Sequence, residues 1–180
     1  MLASLFGAII GGMFALVGGW LALEWQTQRE ARGVASALLA ELTLSERLLE
    51  EGGSNRAFYQ TLIDEWKATG TVQHPQAIAD MFDSDPQESL PVYYAMAGKL
   101  GLLPERIAAD VVAYHAKIIA LPRMVVRFLG RQRLEKSFVK GIAAQVETQF
   151  HESTEMRAKL IKALRAFVDK PIRSIPFQGM

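Results

Sequence analysis

The chain contains no cysteine in its 180 residues. Disulfides, thiolate nucleophiles and cysteine metal ligands are therefore excluded, and a reducing compartment suits such a sequence. Histidine is scarce. His74, His115 and His151 lie far apart, and none belongs to a pair at i, i+4. A metal centre needs clustered ligands, so each of the three reads as a packed or surface imidazole. Asp80, Asp83 and Asp85 fall close together, but the glycine and the closing glutamate of a calcium loop are missing. Helix capping accounts for them better. No glycine-rich phosphate loop and no Gly-x-Ser-x-Gly occurs. No cofactor, no metal and no enzymatic activity are expected. Strand-like alternation is also missing, and no internal repeat is visible.

Charge is wholly absent from residues 1–23, MLASLFGAIIGGMFALVGGWLAL. A helix of that length measures roughly 34 Å, enough for a bilayer core of about 30 Å. No basic residue precedes the run, and it is too long for the apolar core of a signal peptide. Five glycines between Gly7 and Gly19 would weaken a helix in water by about 1 kcal/mol each relative to alanine, whereas lipid tolerates them. The small residues are ordered. Ala3, Gly7, Gly11, Ala15 and Gly19 recur every fourth position, and Ser4, Ala8 and Gly12 form a second row. Such rows let helix backbones approach closely in lipid. The expectation is a single transmembrane helix that packs against copies of itself, with Trp20 and Trp25 at its headgroup end.

Arg29, Arg32 and then Arg47 follow the apolar run, so the positive-inside rule places the carboxyl side in the cytoplasm of a bacterial inner-membrane protein. The expected organisation is a transmembrane helix over 1–23, a helical cytoplasmic domain over 24–170 and a tail over 171–180. The fold class is all-α.

The net charge of +1 conceals an asymmetry. From Glu24 to Ala116 there are 7 Lys/Arg against 14 Asp/Glu; from Lys117 to Met180 there are 13 against 5. The two halves could attract each other within one subunit or between neighbours. The richest polar run is Arg123, Arg127, Arg131, Arg133, Lys136 and Lys140. It reads first as a solvated face. The alternatives are contact with the acidic half of a neighbour, with a cytoplasmic protein, or with anionic lipid. Aromatic residues of the kind that stack on bases do not interleave with it, so nucleic acid is not the expected partner.

Helical periodicity covers the rest. Val34, Leu38, Leu42, Ser45 and Leu49 mark one face, with Glu41, Glu46 and Arg47 expected on the wetted side. Phe58, Leu62, Ile63 and Trp66 mark a second helix that Gly70 closes. Gln76 to Phe82 reads as a brief helix. Asp85-Pro86-Gln87-Glu88 reads as a helix start, with the helix expected to run to about Leu100. Pro104 opens a helix striped by Ile107, Val111, Tyr114, Ile118 and Leu121, and Pro122 is expected to kink or break it. Leu134, Phe138, Ile142, Val146, Phe150, Met156, Leu160, Leu164 and Phe167 predict one long helix that Pro171 ends. Its length suggests an arm reaching beyond its own small core.

Leu-Leu-Ala-Glu-Leu at Leu38 to Leu42, Lys-Leu-Gly-Leu-Leu-Pro at Lys99 to Pro104, and the Tyr114-His115 pair on the next helix resemble a layout of bacterial single-span, membrane-anchored helical proteins. The layout is also similar to the HEPN-like membrane accessory proteins of RNA-targeting CRISPR systems. That resemblance implies anchors gathered into a ring-shaped pore beneath a helical domain. HEPN ribonucleases carry Arg, four to six residues, then His. The matching positions before His115 are Ala108, Ala109 and Asp110, before His151 Ala144, Gln145 and Val146, and before His74 Lys67, Ala68 and Thr69. Nuclease activity is not expected. The function these readings imply is a homo-oligomeric membrane assembly that depolarises a membrane or serves a defence system. The alternative is a tethered module that recruits a partner through its basic half.

Overall fold

A computed structural model describes the backbone of residues 2–51, 53–82, 85–129 and 135–171, and side chains from Gly12 to Ser45, Gln60 to Asp80, most of 85–129, and 135–171. All regular structure among them is helical, as expected. The elements are α1 (Leu2–Glu51), α2 (Gly53–Thr69), α3 (Pro75–Phe82), α4 (Pro86–Ser89), α5 (Pro91–Met96), a 3-10 helix (Ala97–Leu102), α6 (Glu105–Leu129) and α7 (Lys136–Asp169).

Two apolar cores are strung along α6 and α7, which run antiparallel. The first gathers Val34, Leu38 and Leu42 of α1, Leu100 and Leu103, Val111 and Tyr114 of α6, and Leu160, Ile161 and Leu164 of α7. The second gathers Ile63 and Trp66 of α2, Ile78 of α3, Val125 and Phe128 of α6, and Val139, Ala143 and Val146 of α7. Trp66 and Phe138 each tilt against Phe128, at 5.8 Å and 5.6 Å between ring centres. Burial of such side chains contributes roughly 1.5–3 kcal/mol each.

α7 is therefore not an arm that reaches outward. Its buried residues Val139, Ala143, Val146, Ser153, Leu160 and Leu164 keep steps of three, four and seven. That is the 3.5-residue seam of helices packed side by side. Ser153 sits in the seam between the two cores, and its hydroxyl donates to the Phe150 carbonyl at 2.8 Å. α6 passes through Pro122 without ending, so of the expected kink or break the break does not occur. Packing of α6 against α7 on both sides of the proline offsets the lost hydrogen bond.

The helix expected from Pro86 to Leu100 is divided into α4, α5 and the 3-10 helix. Pro91 is the cause, since it cannot donate a backbone hydrogen bond and opens a fresh helix at its first position. The start of α4 is as expected. Asp85 Oδ1 accepts the Gln87 N–H at 2.9 Å, and the Asp85 carbonyl accepts the Glu88 N–H. Lys67 and Glu147 join α2 to α7 at 2.8 Å; their hydrogen bond raises the lysine pKa and lowers that of the glutamate. This pair crosses from the acidic half to the basic half with the charges reversed from the overall asymmetry.

Gly70 ends α2 at φ +65°, its N–H donating to the Trp66 carbonyl at 2.9 Å. A Cβ there would lie 2.8 Å from Lys136 Cβ and 2.9 Å from the Lys136 carbonyl oxygen. Gly70→Ala combines a left-handed backbone with a clash against the first turn of α7. It should lower stability by about 2 kcal/mol or more in urea unfolding. An unchanged midpoint would show that α2 and α7 do not need this approach.

Candidate functional site

Three features are candidates. The first is the projecting part of α1. From Gly12 onward, where its side chains are described, the buried face begins at Ala31, and before it Met13, Phe14, Leu16, Val17, Trp20, Leu23 and Trp25 are all exposed, Leu16 by 77%. On a helical wheel these seven residues cover an arc of roughly 200°, and Gly12, Ala15, Gly18, Gly19 and Ala22 fill the rest, so the segment is apolar all round with its large side chains on one broad side. Of the small-residue row, Ala15 and Gly19 are exposed, while the side-chain positions of Ala3, Gly7 and Gly11 lie outside the described residues. A Cβ at Gly12, Gly18 or Gly19 would meet nothing within 4 Å. No contact inside the chain demands glycine at those places. Among the described residues no helix is long and apolar enough to cross a membrane. The described apolar part, Gly12 to Leu23, spans roughly 18 Å.

The second is the basic run. Arg123 and Arg127 are exposed and four residues apart on α6. Lys136 and Lys140 are exposed on the first turns of α7; Arg131 and Arg133 lie outside the described residues. The two α6 arginines edge an open groove of about 650 Å³ between α6 and α7, with Ile119, Met124, Phe138 and Ile142 on its walls. Among the described residues, no ion pair involves Arg123 or Arg127.

The third escaped the sequence reading. Glu41 was expected on the wetted side of α1, yet its side chain is only 9% exposed. Oε2 accepts the backbone N–H groups of Val92 at 2.7 Å and Tyr93 at 3.3 Å. These are free donors in the first turn of α5, whose own N-cap, Leu90, supplies no side-chain bond. A carboxylate from α1 thus caps α5 from outside its chain segment. Oε1 faces His115 Nε2 at 3.6 Å. The imidazole is fully buried, and Tyr93 stacks on it at 3.9 Å with the rings within 7° of parallel. His115 Nδ1 lies 2.7 Å from the Val111 carbonyl, so Nδ1 carries the donated hydrogen. Burial pushes the imidazole pKa down, against the opposing pull of the Val111 carbonyl and of Glu41.

A histidine beside a glutamate has the composition of an acid–base pair, but here the imidazole is fully buried and only 9% of the glutamate side chain is exposed. It is a polar clamp joining α1, α5 and α6. The signal was present in the sequence: a helical wheel places Glu41 only about 60° from Leu38, and His115 one turn from Val111 in the buried stripe. His151 is exposed beside Glu155, and among the described residues no cluster of three metal-ligating side chains occurs.

Compared with family models, with curated proteins and with solved structures, the chain matches none.

Because burial lowers the His115 pKa, the unfolded chain binds the extra proton more readily than the folded one. Stability is then greatest above the ordinary histidine range, near 6.5, and falls as pH drops through it. The melting temperature should be lower at pH 5.5 than at pH 7.5, and His115→Gln should shrink that difference. An identical pH profile in wild type and variant would remove His115 as the cause.

Proposed function

We propose that the chain is a membrane-anchored homo-oligomer whose α1 segments associate through the row Ala3, Gly7, Gly11, Ala15 and Gly19. One observation carries this reading: α1 runs unbroken from a segment that is apolar on every side and uncovered into the buried face at Ala31 to Leu42. Seven large apolar side chains left in water would favour aggregation, and lipid removes that cost. The open surroundings of Gly12, Gly18 and Gly19 support a partner outside the chain, since helices in lipid associate by close backbone approach. A ring of such helices would enclose an apolar, backbone-lined opening. It would gate by dewetting or leak, because no charged residue is there to select ions. The domain from Glu24 onward lies on the cytoplasmic side in this reading.

A second reading rests on a separate observation. The exposed, unpaired Arg123 and Arg127 beside the apolar groove suit a tethered module that recruits an acidic partner.

Ala15→Ile and Gly19→Ile together should reduce the oligomeric mass of the full chain in mild detergent, while its resistance to carbonate extraction from membranes stays the same. An unchanged mass would defeat assembly through this row. Release by carbonate would defeat the anchor itself. Arg123→Glu with Arg127→Glu should leave the mass alone under the first reading and abolish partner capture under the second.

A further inference from the structure

A second groove, of about 420 Å³, lies where α1 leaves its apolar segment and meets the end of α7. Leu102, Leu103 and Phe167 form an apolar wall, and Arg32, Lys170 and Glu24 contribute the charged lining. The Arg32 guanidinium donates to the Lys170 backbone carbonyl, which ties it to the end of α7, and both residues line the groove. Arg29 stands one turn nearer the apolar segment, 5.6 Å over the Trp25 ring.

The acids interleaved here form no ion pair with these cations among the described residues. Glu24 accepts from Gln28 at 3.1 Å and Glu30 from Gln26 at 3.2 Å, each along its own helix face. Among the described residues, no ion pair involves Arg29, Arg32 or Lys170. Arg32 and Lys170 against Glu24 leave the lining of the groove with one positive charge in excess, and the flanking Arg29 and Glu30 balance each other. The apolar wall lies beside it, and Arg32 is two to three turns from Leu23.

We infer that this groove binds the phosphodiester headgroup of an anionic phospholipid, with Arg32 and Lys170 on the phosphate and the Leu102–Phe167 wall against the first carbons of an acyl chain. The inference rests on the anchored reading above, because only a chain held at a bilayer brings the groove to headgroup depth. A guanidinium fork suits two phosphate oxygens, and a lysine beside it adds a point charge. Basic side chains at a membrane surface draw anionic lipid strongly enough to be measured one residue at a time.

The test uses the full chain reconstituted in nanodiscs of phosphatidylcholine with or without phosphatidylglycerol. The readout is the phosphatidylglycerol that co-purifies after exchange into detergent. Wild type should retain it, and Lys170→Gln should retain several-fold less. Lys170 is exposed and gives Arg32 only its backbone carbonyl, so this variant leaves the fold alone. Arg32→Gln should lose more and Arg32→Lys should recover part of the loss. Equal retention by wild type and Lys170→Gln, in a chain that still resists carbonate, overturns the inference and leaves the anchor standing. Failure to enter nanodiscs at all removes the anchor and the inference together. Displacement of the lipid by millimolar glycerol 3-phosphate would identify a soluble phosphate ester as the ligand instead, and would also overturn it.

Discussion

Everything in this molecule depends on α1 being one helix. Fifty residues run without a turn, roughly 75 Å, and among the described side chains, Gly12 to Ser45, the buried ones lie between Ala31 and Leu42. The same rod therefore has two solvation problems. Its later part solves them with α7, α5 and the 3-10 helix. In its earlier part, among the described residues, Phe14, Leu16 and Trp20 lie open, each forgoing roughly 1.5–3 kcal/mol of burial. A sequence that spends apolar side chains on all sides of a helix is matched to a surrounding that is apolar on all sides. Lipid, or lipid together with sibling helices, meets that description.

The bundle itself is held mainly by its apolar cores, with one polar exception. Burying the Glu41 carboxylate is costly, and two backbone N–H groups of α5 offset the cost, each bond to a charged acceptor being worth about 1.5–3 kcal/mol. α5 has only six residues and no cap of its own, so it would be marginal without this partner. The exchange is mutual: α1 obtains donors for a buried acid, and α5 obtains its missing cap. His115 closes the other side of the carboxylate, and Tyr93, in the first turn of α5, covers the imidazole. The clamp fixes the rotation of α1 about its own axis relative to α6, which apolar contacts alone specify less sharply.

Much of this architecture could be read from residues alone. Val34, Leu38 and Leu42 share a wheel face and are buried; Asp85-Pro86 begins a helix; Gly70 ends one. Local chemistry decides each of those. What escaped was decided by distant neighbours. Glu41 is buried only because the first turn of α5, fifty residues later, arrives to bind it. Pro122 stays in helix because α7 packs alongside on both sides of it. On α7 the expected stripe holds at Val146, Leu160 and Leu164, which are buried, whereas earlier the seam runs through Val139 and Ala143, one residue on from the expected Phe138 and Ile142. The groove at Arg32 and Lys170 joins positions 138 residues apart and has no local signature. Nor does sequence reveal that Gln26 and Gln28 donate to the neighbouring glutamates.

The junction between rod and bundle bears on how the two functional readings differ. A tether that merely localises a module needs slack, of the kind that Gly, Ser and Pro supply in a flexible linker. Here about eight residues, some 12 Å of helix, separate Leu23 from the first buried residue, Ala31. Gly33, a residue type that weakens a helix, is followed by two buried residues, Val34 and Ala35, and cannot act as a hinge without unpacking them. The bundle is thus held at a fixed distance and a fixed rotation from the apolar segment. Rotation of that segment in a bilayer would carry Glu41 with it, and Glu41 carries the start of α5. A rigid coupling of this kind is wasted on a simple tether. It is useful where the arrangement of packed helices in lipid must correspond to an arrangement of domains outside it, which is the demand a homo-oligomeric assembly makes.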